Sequence, residues 1–97
     1  MDVSFTNRVV MPDDVLERGI DNESILLNLN NENYYGLDEM GRHFWVTLEA
    51  SASIQDAYDK LLAKYDVDEG TLRTDLIEFI GVLAEQGLIE LRAPEME

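Results

Sequence analysis

Cysteine is absent from these 97 residues, histidine occurs once, and seven basic residues stand against 21 acidic ones. The lack of cysteine removes disulfides, thiolate catalysis and cysteine-based zinc sites together. The one histidine, His43, has no matched base or ligand set, so it reads as a structural or solvent-facing side chain. No apolar run reaches the roughly 18 residues that a membrane-spanning helix needs. The start, Met1-Asp2-Val3-Ser4-Phe5, lacks the basic head and apolar stretch of a signal peptide, so a cytoplasmic location is expected. The Asn22-Glu23-Ser24 sequon then carries no consequence. The scarcity of Lys and Arg gives a formal net charge of −14. Such a field repels phosphate backbones, whose binding requires several cationic contacts. It also keeps a small domain soluble, and it favours a partner that is less acidic or basic. Affinity for such a partner is expected to fall with added salt.

What is present suits one domain. An apolar fraction of 45% is ordinary for a globular chain, and the length allows a single modest core, expected over about 15–91 with flexible ends. Val3 to Val10 is β-rich without clean alternation and is broken by Met11-Pro12-Asp13-Asp14, which predicts a weak strand or an extended arm. Val15 to Ile20 reads as a strand and Asp21-Asn22 as a turn. Alternation in Ser24 to Leu29 places Ile25, Leu27 and Leu29 on one face. Asn30-Asn31-Glu32-Asn33 turns the chain, since Asn tolerates left-handed backbone. Tyr34 to Leu37 returns as a strand, with Tyr35 and Leu37 on one face and Tyr34 and Gly36 on the other.

Asp38 can cap a first helix through Met40, Phe44, Trp45 and Leu48. Ser53 with Asp56 has the spacing of a capping box, followed by the stripe Ile54, Tyr58, Leu61, Leu62 and Tyr65. Asp68 opens a third helix that Gly87 ends, with Leu88 placed for a Schellman contact. Ile89 to Leu91 can add a short strand, and Ala93 to Glu97 is expected to fray. This order predicts an α+β domain, winged helix-turn-helix-like, with a small N-terminal antiparallel sheet of about three strands and then three helices.

The third helix carries surplus apolar surface. With Leu72 as the origin of a helical wheel, Leu76, Phe79 and Leu83 fall close to it on either side and define a core stripe. Ile80, Ala84 and Ile77 follow one another away from that stripe in a single direction, with Arg73 between Ile80 and Ala84. Either this flank packs on the sheet, or it lines an open groove beside the edge strand. An edge strand leaves unpaired N–H and C=O groups that an extended peptide can complete. Gly36 leaves one face of the Tyr34–Leu37 strand bare, and Tyr34 supplies an aromatic wall with a polar tip.

From Leu27 to Trp45 no residue reads as a nucleophile. Asp13-Asp14, Asp38-Glu39 and Asp68-Glu69 sit at or near turns or helix starts, where capping explains Asp38 and Asp68, and no EF-hand spacing occurs. No catalytic residue, metal or cofactor is expected. Between Asp68 and Gly87 one basic residue, Arg73, faces five acidic ones, which argues against a DNA-reading helix.

The stretch "YYGLDEMGRHFW" (Tyr34 to Trp45), then "SIQDAYDKLLAKYDVD" (Ser53 to Asp68) and "DLIEFIGVLAEQGLI" (Asp75 to Ile89), resembles in order and spacing the PqqD-like family of peptide chaperones, the recognition elements for ribosomally made precursor peptides. The resemblance spans roughly Val15 to Leu91. Asp38 stands where Asn is common, a change that a helix cap tolerates, and the N-terminal arm is poorly matched. What the resemblance implies is a non-catalytic chaperone. It would bind a leader segment as an added strand and present the precursor to a modifying enzyme, such as a radical SAM protein or a leader peptidase. Carried over by position, the peptide-binding strand is Asn33, Tyr34, Tyr35, Gly36 and Leu37. The facing helix positions are Arg73, Ile77, Ile80 and Ala84. The resemblance names no pathway: pyrroloquinoline quinone assembly, lasso peptides and orphan clusters all stay open, and free-standing lasso-peptide recognition proteins are similar over Leu27 to Trp45. The alternative is a generic protein-interaction or oligomerisation domain using the same edge and groove.

Overall fold

The structure is a computed structural model that describes residues 4–93. Strands β1 (Arg8–Val10), β2 (Val15–Ile20), β3 (Glu23–Asn28) and β4 (Tyr34–Leu37) precede helices α1 (Glu39–Glu49), α2 (Ile54–Lys64) and α3 (Glu69–Glu85), and β5 (Glu90–Arg92) follows. The predicted α+β order holds, with the strands divided between two sheets. One is the antiparallel meander β2-β3-β4; the other is the pair β1-β5. Of the expected arm, Arg8–Val10 form a three-residue strand that pairs with β5 and leaves β4 alone. The expected tail lies, beyond Ala93, outside the described residues.

Turn chemistry sets the meander. The two-residue link after β2 puts Asp21 at φ 57, a conformation Asp bears more easily than most residues. In the longer link, Asn28 Oδ1 accepts from the Asn30 N–H and Asn31 Oδ1 accepts from the Asn33 N–H, both at 2.9 Å. The left-handed residue is therefore Glu32 (φ 62) rather than an asparagine. The asparagines act through their side-chain oxygens, while the Glu32 N–H closes back on the Asn28 carbonyl at 2.8 Å.

The β3 face that enters the core carries Ser24, Leu26 and Asn28, and Leu37 of β4 joins it. Ile25, Leu27 and Leu29 share a face as expected, but it is the outward one. Together with Leu16, Ile20 and Tyr34 they leave an apolar surface on the open side of the sheet, Ile20 being 59% and Tyr34 76% exposed. Alternation alone cannot say which phase faces inward when both carry leucine or isoleucine.

Each helix starts at a capping side chain. Asp38 accepts from the Gly41 N–H, Ser53 from the Asp56 N–H and Asp68 from the Thr71 N–H. The first free N–H groups of α2 are completed by the N-terminal arm: Gln55 and Ile54 donate to the carbonyls of Phe5 and Asn7, both at 2.8 Å. Phe5 itself is buried, edge-on to Tyr58 at 5.5 Å, so the core begins ahead of Val15. At the end of α3 the Leu88 N–H reaches the Leu83 carbonyl and the Gly87 N–H that of Ala84, with Gly87 at φ 73. This is the expected Schellman motif, and Leu83 and Leu88 are both fully buried.

In α3 the buried stripe is Leu72, Leu76, Ile80 and Leu83. Ile80 replaces Phe79 in the expected core set: Phe5, beneath the Arg73 guanidinium, lies on the flank of the helix to which Ile80 belongs. Phe79 is only partly buried and meets Phe44 edge-on at 5.4 Å.

Candidate functional site

Strand β4 is the outer strand of its sheet, and among the described residues no strand pairs with its free edge. Its backbone phase follows from one bond. The Asn28 N–H donates to the Asn33 carbonyl at 2.8 Å, which makes these two a hydrogen-bonded pair. The register continues through Leu27–Tyr34, Leu26–Tyr35, Ile25–Gly36 and Ser24–Leu37. In an antiparallel ladder such pairs alternate, so Tyr35 and Leu37 spend their backbone groups on β3. Tyr34 and Gly36 turn theirs to the open edge. An ideal Cβ on Gly36 would meet nothing within 4 Å, so the outward face of the strand is bare at that position.

A groove of about 460 Å³ runs beside this edge. One wall is Tyr35 to Asp38; Met40, Gly41 and Phe44 of α1 form the end and floor; Asp75, Glu78, Phe79 and Val82 of α3 form the far wall. Gly41 keeps the floor low, since a Cβ there would press on Asp38 Oδ1 at 3.3 Å and Leu37 Cδ2 at 3.4 Å. Gly36, Leu37 and Asp38 also line a second hollow of about 440 Å³ with Ile20, Glu23, Ser24 and Ile25.

Two attachments fix the groove's width. At one end the Asp38 cap carries β4 directly into α1. At the other, Asn28, 5% exposed, donates from Nδ2 to the Gly87 carbonyl at 2.9 Å, which ties the turn end of the β3–β4 hairpin to the end of α3. A buried amide with both polar ends satisfied gives a defined distance between strand and helix.

The strand residues expected at the site, Tyr35, Gly36 and Leu37, line the groove, and Asn33 and Tyr34 lie along the same edge. The expected helix positions do not line it. Ile80 is fully buried, Ile77 and Ala84 pack against the core, and the Arg73 guanidinium sits over the Phe5 ring at 4.1 Å. The face toward β4 is the opposite flank. Going round the helix from Leu72 in that direction, Phe79 comes first, then Asp75, Val82 and Glu78. The sequence marks these residues weakly, because two are acidic and read as solvent-facing. Met40 and Phe44 share the helical spacing of the α1 core positions, yet Met40 is exposed in the groove. The His43 ring lies 5.7 Å from the Tyr65 ring, and His43 is not among the residues that line the groove. Among the described residues no group of three or more His, Asp or Glu side chains is set to hold a metal, and no helix is long and apolar enough to cross a membrane.

A small α+β domain with an unpaired edge strand beside a helix-walled groove leaves main-chain groups of the kind an extended chain can complete. The comparisons agree on the class. Residues 23–89 match the family described as coenzyme PQQ synthesis protein D (PqqD), and this chain belongs to that family. Among solved structures, it is similar to TbiB1 in complex with the TbiA(beta) leader peptide, at 35% identity and a TM-score of 0.74, covering 84% of this chain and 94% of that one. It shares its fold with a lasso peptide synthetase B1 complexed with the leader peptide, at 17% identity and a TM-score of 0.72, covering 86% and 98%. No curated protein matches it.

Proposed function

We propose that this protein is a non-catalytic leader-peptide-binding partner in the biosynthesis of a ribosomally made, modified peptide. The observation that carries the reading is the open edge of β4, with Tyr34 and Gly36 aiming backbone groups across a groove that α3 closes on the far side. A peptide joining that edge gains main-chain hydrogen bonds from β4. Its alternate side chains point into the groove, against Leu37, Met40, Phe44, Phe79 and Val82. The similarity to a leader-bound TbiB1 supports a leader segment as the occupant.

The bound peptide is then offered to a modifying enzyme. The outward face of the sheet, with Leu16, Ile20, Ile25 and Tyr34 exposed, gives that enzyme an apolar surface continuous with the peptide's strand.

The test is an amide-resolved NMR titration of the labelled protein with the leader peptide encoded beside its gene. Shifts should concentrate on residues 34–37 and 75–82, with slowed exchange at the Gly36 N–H. Shifts confined to Arg73, Ile77 and Ala84, or no shifts, would remove the reading.

A further inference from the structure

The groove has a charge pattern beyond its shape. Asp38, Asp75 and Glu78 line it, and no Lys, Arg or His does. Asp38 commits Oδ1 to its own helix cap. Among the described residues neither Asp75 nor Glu78 has an ion-pair partner. The nearest α3 cation in sequence, Arg73, is held on the other flank over Phe5. Two unpaired carboxylates thus stand one helical turn apart on the wall that faces the peptide edge, interleaved with the apolar Phe79 and Val82.

Building on the leader-binding reading, we propose that the groove selects a peptide strand carrying a basic side chain and an apolar one at alternate, inward-pointing positions. The basic group meets Asp75 and Glu78; the apolar one packs on Phe79, Val82, Met40 and Phe44. The spacing fits. Asp75 and Phe79, like Glu78 and Val82, are offset by about 6 Å along the helix. Alternate residues of a strand are separated by about 7 Å. One peptide therefore satisfies both kinds of contact without leaving the ladder. The charge also excludes: an acidic residue at that inward position would face the Asp75 and Glu78 carboxylates, on a chain whose net charge is −14.

The experiment uses the full chain and the leader peptide encoded beside its gene. The peptide is made in three versions, with Lys, Gln or Glu at the inward position two residues from its apolar anchor. Affinities are measured at low salt and at high salt, with the protein unchanged and as the D75N/E78Q variant. The expected order is Lys over Gln over Glu, with roughly tenfold between the extremes at low salt. That spread should narrow to about twofold at high salt, and likewise in the variant. Equal affinities for all three versions, with shifts still on residues 34–37, would overturn the charge selection and leave strand addition standing. A charge order that survives in D75N/E78Q would also overturn it, by placing the selecting groups elsewhere. Binding of none of the three would overturn both this inference and the leader-binding reading.

Discussion

On one flank of α3, Ile77 and Ala84 pack on the core and Arg73 covers Phe5; on the other, Asp75, Glu78, Phe79 and Val82 face β4 across open space. The first flank is the more apolar, and the N-terminal arm reaches it. The second is half acidic, and it remains available. A groove that must stay open in water cannot be lined only with leucine and isoleucine, because such a surface closes on itself or on other molecules. The mixed flank stays solvated while retaining enough apolar surface to hold a side chain.

The neighbouring residues Ile80 and Phe79 separate these roles most sharply. Ile80→Ala removes a fully buried side chain and should cost about 3 kcal/mol of stability in denaturant unfolding. Leader affinity of the protein that remains folded should be unchanged. Phe79→Ala should cost only about 1 kcal/mol, since the ring is partly exposed, and should weaken leader binding at least about tenfold. If the two substitutions exchanged their effects, the assignment of flanks would be wrong.

The link between hairpin and helix is tested at Asn28. Asn28→Ala deletes the hydrogen bond to the Gly87 carbonyl and the acceptor for the Asn30 N–H. A loss of about 2 kcal/mol is expected, together with weaker peptide binding, because strand and helix lose their fixed separation. Unchanged affinity at reduced stability would show that the groove's width is set elsewhere.

The edge itself can be silenced with little harm to the fold. Gly36→Pro removes an N–H that points away from β3, and proline is tolerated on an edge strand in that phase. Stability should shift by less than about 1 kcal/mol, while leader affinity falls roughly tenfold through the lost donor and the blocked approach. Retained affinity would argue against strand addition on β4.

The smallest effect lies far from the groove. Lys60 Nζ stands 3.1 Å from Asp56 Oδ2 at the start of α2. The hydrogen bond from Lys60, and then that from the Ala52 N–H, hold the Asp56 carboxyl below its ordinary value of 3.8. A depressed carboxylate pKa stabilises the fold at pH above that ordinary value, and the contribution disappears as pH falls through the folded-state pKa. Titration of the Asp56 carboxyl by NMR should show the depression, and Lys60→Met should relieve it. Leader affinity should not change. Because the pair is exposed, the change in stability should be slight.

Much of the fold was legible in the sequence because its signals are local. Asp38, Ser53 and Asp68 cap the helices they were expected to cap, and Gly87 ends α3 in the left-handed conformation only a residue without a Cβ takes easily. The edge strand was legible too, through Tyr34, Gly36 and the asparagine turn before them. Three matters were decided by tertiary structure alone. The β3 phase that enters the core is the one with Ser24, Leu26 and Asn28, because those two polar side chains find partners in Glu17 and Gly87. The N-terminal arm closes the apolar flank of α3, since Phe5 finds Tyr58 and Arg73, far away in the chain. The groove consequently opens on the other flank. Caps and turns depend on neighbours a few residues away, which the sequence states directly. Which flank of a helix stays open depends on what a distant segment covers, and that is settled only when the chain has folded.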